Sequence, residues 1–266
     1  MGVRSMQYNF STWLLFFYIY CFFGWFIEST IVSFSEKRLI NRGFMKGPVL
    51  PLYGSGAIIV LLLCLPYKSN PVIVYILGVV LTTILEYYTG FVMEAIFKIK
   101  YWDYSKNKFN YKGRICLSSS IFWGILVLIL TYFVHGFVSG FVQHISNYIY
   151  YFLIPISIIF ISDFLFSVYN VINLNKMLLF ITNLKRDIES VVEQIKKETV
   201  PSENLEKLRK RFSELTTQYE TKIKGLSFFN RQIFLSYPHA RSKQFNKTVL
   251  DLKNKFLDKY RNRVEK

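Results

Sequence analysis

Four acids stand inside long apolar runs of this chain: Glu28, Glu86, Glu94 and Asp163. A charged carboxylate at the centre of a bilayer costs about 2.5–3.5 kcal/mol on insertion scales, so each requires a partner or a wet cavity. Glu86, Gly90 and Glu94 recur every four residues. They therefore share one face of a helix, with Gly90 leaving room for a second helix to approach closely. Arg42 and Lys46 follow the run that holds Glu28, and a carboxylate–guanidinium network joining them to Glu28 and Glu94 is expected. Glu86 lies deeper, with no cation in obvious reach, and is either protonated or facing a polar cavity. Asp163 reads as more isolated, with Ser162 and Asn170 as the polar residues near it on its own run. Two readings fit this set: a cavity for an ion, a proton or a small polar solute, or acids that pair with loop cations and fix helix packing.

Two further stretches carry unusual chemistry. Residues 41–54 read NRGFMKGPVLPLYG. Gly43 and Gly47 permit a turn where side chains would clash, and Pro48 suits the first turn of a span. Pro51 leaves backbone groups wanting partners, and irregular backbone at membrane depth is tolerated only when shielded by protein or lining a cavity. The stretch predicts a shaped mouth that holds Arg42 and Lys46 against Glu28 and Glu94. Residues 101–124 read YWDYSKNKFNYKGRICLSSSIFWG. Trp102 and Tyr104 suit a membrane interface. Asp103 can accept from backbone amides or a loop cation, Gly113 allows a turn, and Ser118 to Ser120 make the start of the next run polar.

The elements that position these residues follow from composition. The chain has 266 residues, 52% of them hydrophobic, and a formal charge of +16. Position reconciles the two facts: residues 173–266 hold 21 of the 33 Lys and Arg and 11 of the 17 acids. A membrane domain over 1–172 followed by a basic helical tail over 173–266 is expected. A span needs about 20 mostly apolar residues, and five are predicted, at about 11–34, 48–67, 71–97, 115–139 and 148–172. The fold class is an all-α polytopic bundle. The first and third loops carry ten cations against one in the other two, which places those loops and the tail in the cytoplasm and the N-terminus outside.

In the tail, Ile181, Leu184, Ile188, Val191 and Ile195 step at three and four, and the pattern resumes at Leu205, Leu208, Phe212, Leu215, Tyr219 and Leu226. Ser202 sits where a helix cap belongs. Two helices folded back around Val200 and Pro201, or a coiled coil with another copy of the chain, both satisfy this pattern. A further amphipathic helix is predicted with Phe245, Val249, Leu252, Phe256 and Tyr260 on one side. The tail's cations suit anionic lipid or a solvated face; no nucleic-acid module is visible.

No G-x-x-x-x-G-K-[ST] phosphate loop, H-E-x-x-H or G-x-S-x-G motif occurs, so no cofactor, metal or enzymatic activity is called for. Cys21, Cys64 and Cys116 fit no redox or zinc spacing and read as packing residues, and the three histidines are scattered.

GWFIES at 24–29, NRGFMKGPVLPLYG at 41–54, LEYYTGFVMEAIF at 85–97, WDYS at 102–105 and GRICLSSSIFWG at 113–124 together resemble the bacterial family named putative ABC-transporter type IV, or putative ABC transporter permease. YPHARS at 237–242 is similar to a short element of that family. The matching positions are Trp25, Glu28, Asn41, Arg42, Gly43, Gly47, Pro48, Pro51, Tyr53, Gly54, Glu86, Glu94, Trp102, Asp103, Gly113 and Trp123. The resemblance implies a multi-spanning plasma-membrane protein, with lipids as partners and a permease role that needs a separate ATPase subunit. The candidate site is then Glu28, Arg42, Lys46, Glu86, Glu94 and Asp103. Competing with transport are a scaffold or regulator that recruits a cytoplasmic partner through the tail and, lower, an enzyme acting on lipid.

Overall fold

Asn9 starts the first helix: its side-chain oxygen accepts from the Thr12 amide at 2.9 Å, satisfying one of the donors a helix start leaves open. This helix, α1, runs Phe10–Glu36 and stops at Lys37, whose left-handed backbone (φ 51) lets its amide turn back on the Phe34 and Ser33 carbonyls. The computed structural model describes residues 8–196, 202–226, 236, 245, 247–252 and 254. Val200, Pro201, residues 237–242, Phe256, Tyr260 and the Ser202 side chain lie outside that set.

The next helix, α2, is Pro51–Cys64 and continues through a 3-10 turn to Tyr67. Its start corrects the expectation for Pro48. Pro51 occupies the first turn, where a missing N–H costs nothing, and Pro48 stays in the irregular segment before it. The helix is therefore shorter than a full span. Then come α3 (Pro71–Phe97), a two-stranded antiparallel hairpin of β1 (Asn110–Tyr111) and β2 (Ile115–Cys116), and α4 (Leu117–Ile129). A π-helical turn, Leu130–Val134, joins α4 to α5 (His135–His144). Finally α6 runs Ile149–Ile195 and α7 Ser202–Lys224. The described residues are 81% helical, as the all-α expectation has it. Among the described residues, four helical stretches are long and apolar enough to cross a membrane: Phe10–Glu36, Pro71–Phe97, Leu117–His144 and Ser146–Ile195. The tail does not open with a new helix near residue 181, because α6 carries straight through it.

The chain divides into two compact units, Met1–Ala95 with Tyr101–Val168, and Ile96–Lys100 with Tyr169–Lys266. In the first, Leu15, Phe16 and Tyr20 of α1, Leu61 of α2, Val142 of α5 and Leu153 of α6 make one core. Val60, Cys64, Val74 and Val127 make a smaller one among α2, α3 and α4. The α1–α2 crossing is tight because of glycine: a Cβ on Gly54 would stand 2.7 Å from the Phe17 carbonyl oxygen. Outside, Ile31, Ile76, Ile84, Phe122, Phe133 and Phe137 are exposed, while Ser29, Thr82, Glu86, Ser120, Thr131 and His135 are buried. Apolar groups outside and polar groups inside is the arrangement a lipid solvent favours. In the second unit, Leu174, Leu178, Ile181, Leu184 and Val191 of α6 are buried, as are Ile223, Leu226, Phe245, Val249 and Leu252. A Thr182–Thr248 hydrogen bond of 2.8 Å and a Lys185–Asp251 ion pair join α6 to residues 248–251.

Candidate functional site

The face of α3 that carries Glu86, Gly90 and Glu94 is covered by the segment after it. Asp103 accepts from the Ser105 amide and hydroxyl, closing a turn that sets up the hairpin. The Tyr104 amide then donates to the Gly113 carbonyl at 2.8 Å. Lys112 and Gly113 take the left-handed conformation (φ 54 and 67) at the hairpin tip, which glycine adopts at no cost. Trp102 donates its indole N–H to the Arg114 carbonyl at 2.9 Å, and its ring fills the space over Gly90, where a Cβ would come within 3.2 Å of it. Gly90 thus admits an indole from the loop rather than a neighbouring helix. The grouping of Trp, Asp and Tyr with a distant Gly-Arg has a physical basis: these residues close and dock one hairpin.

That hairpin delivers Arg114 to Glu94. Nη2 and Nε stand 2.8 and 3.2 Å from one carboxylate oxygen, with both side chains largely buried. The guanidinium also lies between the Tyr87 and Phe91 rings, at 5.4 and 5.2 Å, a favourable stacking position. Glu94 thus has in Arg114 a partner that its spacing on the helix did not suggest. Arg42 reaches Glu28, Nε to Oε2 at 3.5 Å, and Tyr53 donates its hydroxyl to the other oxygen of Glu28 at 2.7 Å.

Residues 41–47 are organised by Asn41. Its side-chain oxygen accepts from the Trp25 indole and the Gly43 amide, and its NH2 donates to the Lys46 carbonyl. Sequence reasoning did not place it in the site, although an Asn before Arg-Gly is a turn signal. Asp163 is not isolated, as expected from its own run, but accepts from the backbone amides of Lys46 and Gly47 at 3.2 and 2.7 Å and from Ser167. A side chain at Gly47 would press on that carboxylate. The Lys46 ammonium itself lies over the Phe166 ring at 5.8 Å.

Glu86 is 5% exposed. It accepts from the Tyr104 hydroxyl at 3.0 Å and from Ser119 at 3.2 and 3.1 Å. Burial pushes the Tyr104 phenol well above its ordinary range and the Glu86 charge adds to that, so this donor stays protonated at neutral pH. Glu86 also faces a cavity of about 450 Å³ formed by α1, α2, α3 and α4. The cavity departs from the polar chamber expected. Its walls are mostly apolar and aromatic, Tyr20, Phe23, Phe26, Tyr53 and Trp123 among them, and Glu86 is the one carboxylate in the lining. Tyr53 thus joins the cavity to the Glu28–Arg42 pair, and its ring meets Trp123 edge-on at 5.3 Å.

His135 was passed over in the sequence as one of three scattered histidines. It lies buried with the Tyr20 hydroxyl 2.9 Å from Nδ1 and the Tyr8 hydroxyl 3.3 Å from Nε2. Only the assembled fold brings these three together.

No curated protein and no solved structure matches the chain. The family model described as "Putative ABC-transporter type IV" matches residues 15–168, ending at Val168 where the first compact unit ends. That stretch is more than half of the chain and contains every acid and arginine of the site, so the protein belongs to the putative ABC-transporter type IV family.

Proposed function

We propose that this chain is the membrane subunit of a transporter and that its cargo site is the cavity beside Glu86. The observation that carries the reading is a buried carboxylate, oriented by Tyr104 and Ser119, at the wall of a chamber of ligand size. Structural bracing alone requires no such chamber. Glu28, Arg42 and Tyr53 flank the site through Tyr53, while Glu94–Arg114, Asp103, Lys46 and Asp163 hold the connecting segments that frame it. Cation counts in the loops put this end of the first unit at the cytoplasmic leaflet of the plasma membrane, with residues 173–266 as a cytoplasmic tail. With no phosphate loop in the chain, a transporter of the ABC type draws its ATPase from a separate subunit. A scaffold that recruits partners through the tail is the second reading: among the described residues Leu178, Ile181, Phe245 and Leu252 are buried within the chain, while Phe180, Phe212 and Leu250 stay exposed.

The test uses proteoliposomes loaded with a small-molecule extract of the host cells, with and without co-purified ATPase. Mass spectrometry of the released fraction should show solutes whose efflux depends on the protein and falls at least about tenfold, roughly 1.4 kcal/mol, in Glu86→Gln. Release unaffected by that substitution in a folded variant would remove the reading.

A further inference from the structure

We propose that the Glu86 cavity binds a lipophilic monocation, a quaternary ammonium or phosphonium-like centre carried on an aromatic or branched hydrocarbon body. The inference rests on the reading of that cavity as the cargo site and names the class of cargo.

Size comes first. About 450 Å³ lies within the roughly 300–1,000 Å³ of small-molecule pockets, too large for a bare ion. The walls come second. Their polar surface is slight, so a sugar, an amino acid or a hydrated metal ion would surrender its water without replacement, at a cost of several kcal/mol per unpaired polar group, roughly 2–7. A hydrocarbon body loses nothing there.

Charge then selects the sign. Glu94 is matched by Arg114 and Glu28 by Arg42. Among the described residues no cation pairs with Glu86, and no Lys, Arg or His lines the cavity. An anionic or neutral cargo gives an ionised Glu86 no partner, and an acid left unpaired in a low-dielectric chamber is favoured in its neutral form. A cation supplies what is missing. The faces of Tyr20, Phe23, Tyr53 and Trp123 add to the preference, since aromatic quadrupoles attract a positive centre.

The hydrogen-bond count then narrows the kind of cation. The Tyr104 and Ser119 hydroxyls each bring one proton to the carboxylate, Ser119 sharing its own between both oxygens, and the Trp123 indole is a third partner. Little directional capacity remains for a primary ammonium with three N–H donors. A centre without N–H groups asks only for charge and contact. The lining residues Phe26 and Ile27 are 54% and 43% exposed, which suits an amphiphile that arrives dissolved in lipid.

The experiment uses the full chain in lipid nanodiscs with two probes of the same shape and opposite charge, radiolabelled tetraphenylphosphonium and tetraphenylborate. The expected result is saturable tetraphenylphosphonium binding, weakened about thirtyfold by Glu86→Gln, as for removing one partner of a buried charge pair. Tetraphenylborate should show no saturable component. Leu126→Trp keeps the acid, narrows the cavity from α4 and should weaken tetraphenylphosphonium about tenfold, which carries the test where Glu86→Gln fails to fold. Non-saturable tetraphenylphosphonium binding, equal binding by both variants and wild type, or equally tight tetraphenylborate would overturn the cation site. Because binding is measured without flux, the two readings separate. Efflux of other solutes with no cation binding removes this inference and leaves transport standing, whereas cation binding without efflux supports the site and removes transport.

Discussion

Arg114–Glu94 and Arg42–Glu28 are the same pair of side chains built twice, and they differ in grip. In the first, two nitrogens meet one oxygen at 2.8 and 3.2 Å, side-chain exposure is 12% and 14%, and two aromatic rings flank the guanidinium. In the second, Arg42 Nε stands 3.5 Å from the carboxylate, and Glu28 is 31% exposed. The cause lies in the connecting segments. The hairpin after α3 makes its own backbone hydrogen bonds and presents Arg114 from a formed structure. The segment after α1 has no regular structure and borrows its bonds from helices: Ile40 to Ser33, Arg42 to Ser29, Lys46 and Gly47 to Asp163, and Leu50 to the Cys21 carbonyl. The tight pair closes over α3 away from the cavity. The looser one is tied by Tyr53 to the cavity wall, where small movements of Arg42 cost least and reach the proposed cargo.

The contrast breaks first at Arg114. Arg114→Ala removes a two-nitrogen grip on a largely buried carboxylate and should cost up to about 3–5 kcal/mol, read as a large drop in the apparent melting temperature of the detergent-solubilised protein. Arg42→Ala should shift it far less, and equal shifts would show that the two pairs are energetically alike. Next in size is Asp163→Ala. It withdraws a charged acceptor from two amides, worth about 1.5–3 kcal/mol. Hydrogen exchange at Lys46 and Gly47 should accelerate while the hairpin amide of Tyr104 keeps its protection. Acceleration at both places would mean that the two segments do not stand independently.

Much of this frame is legible in the sequence. The bounds of α1 and α3 follow from apolar length, and the shared face of Glu86, Gly90 and Glu94 follows from helical spacing. The continuity of α6 was also available, since no Gly or Pro interrupts residues 156–200, but the change from an apolar run to an amphipathic stripe was read as a boundary. Pro48 reads as the helix start, and only the backbone path shows the helix beginning at Pro51 instead. What pattern does not carry is the identity of partners. Gly90 announces space but not the indole that fills it. Asp163 is held by amides 116 residues away, and backbone groups leave no mark in a sequence. Glu94 meets the arginine 20 positions on because hairpin closure brings Arg114 to it, which charge pattern alone does not announce. The cavity's apolar walls come from four helices whose aromatic residues are unremarkable one by one.

The finest contrast is a pair of double-mutant cycles. For Arg42 and Glu28, part of the Coulomb gain is screened by exposure and Glu28 keeps its bond from Tyr53 when Arg42 is removed. The coupling energy should stay at about 1 kcal/mol or below. For Arg114 and Glu94, both largely buried and joined through two nitrogens, the coupling energy should be clearly larger, toward about 3 kcal/mol. Addition of tetraphenylphosphonium to the nanodiscs then sharpens the difference. If Tyr53 transmits cargo binding to the Glu28–Arg42 pair, the small coupling should change while the large one stays constant. A shift in both, or in the Arg114 cycle alone, would place the link between cavity and loop on α3 instead of α2.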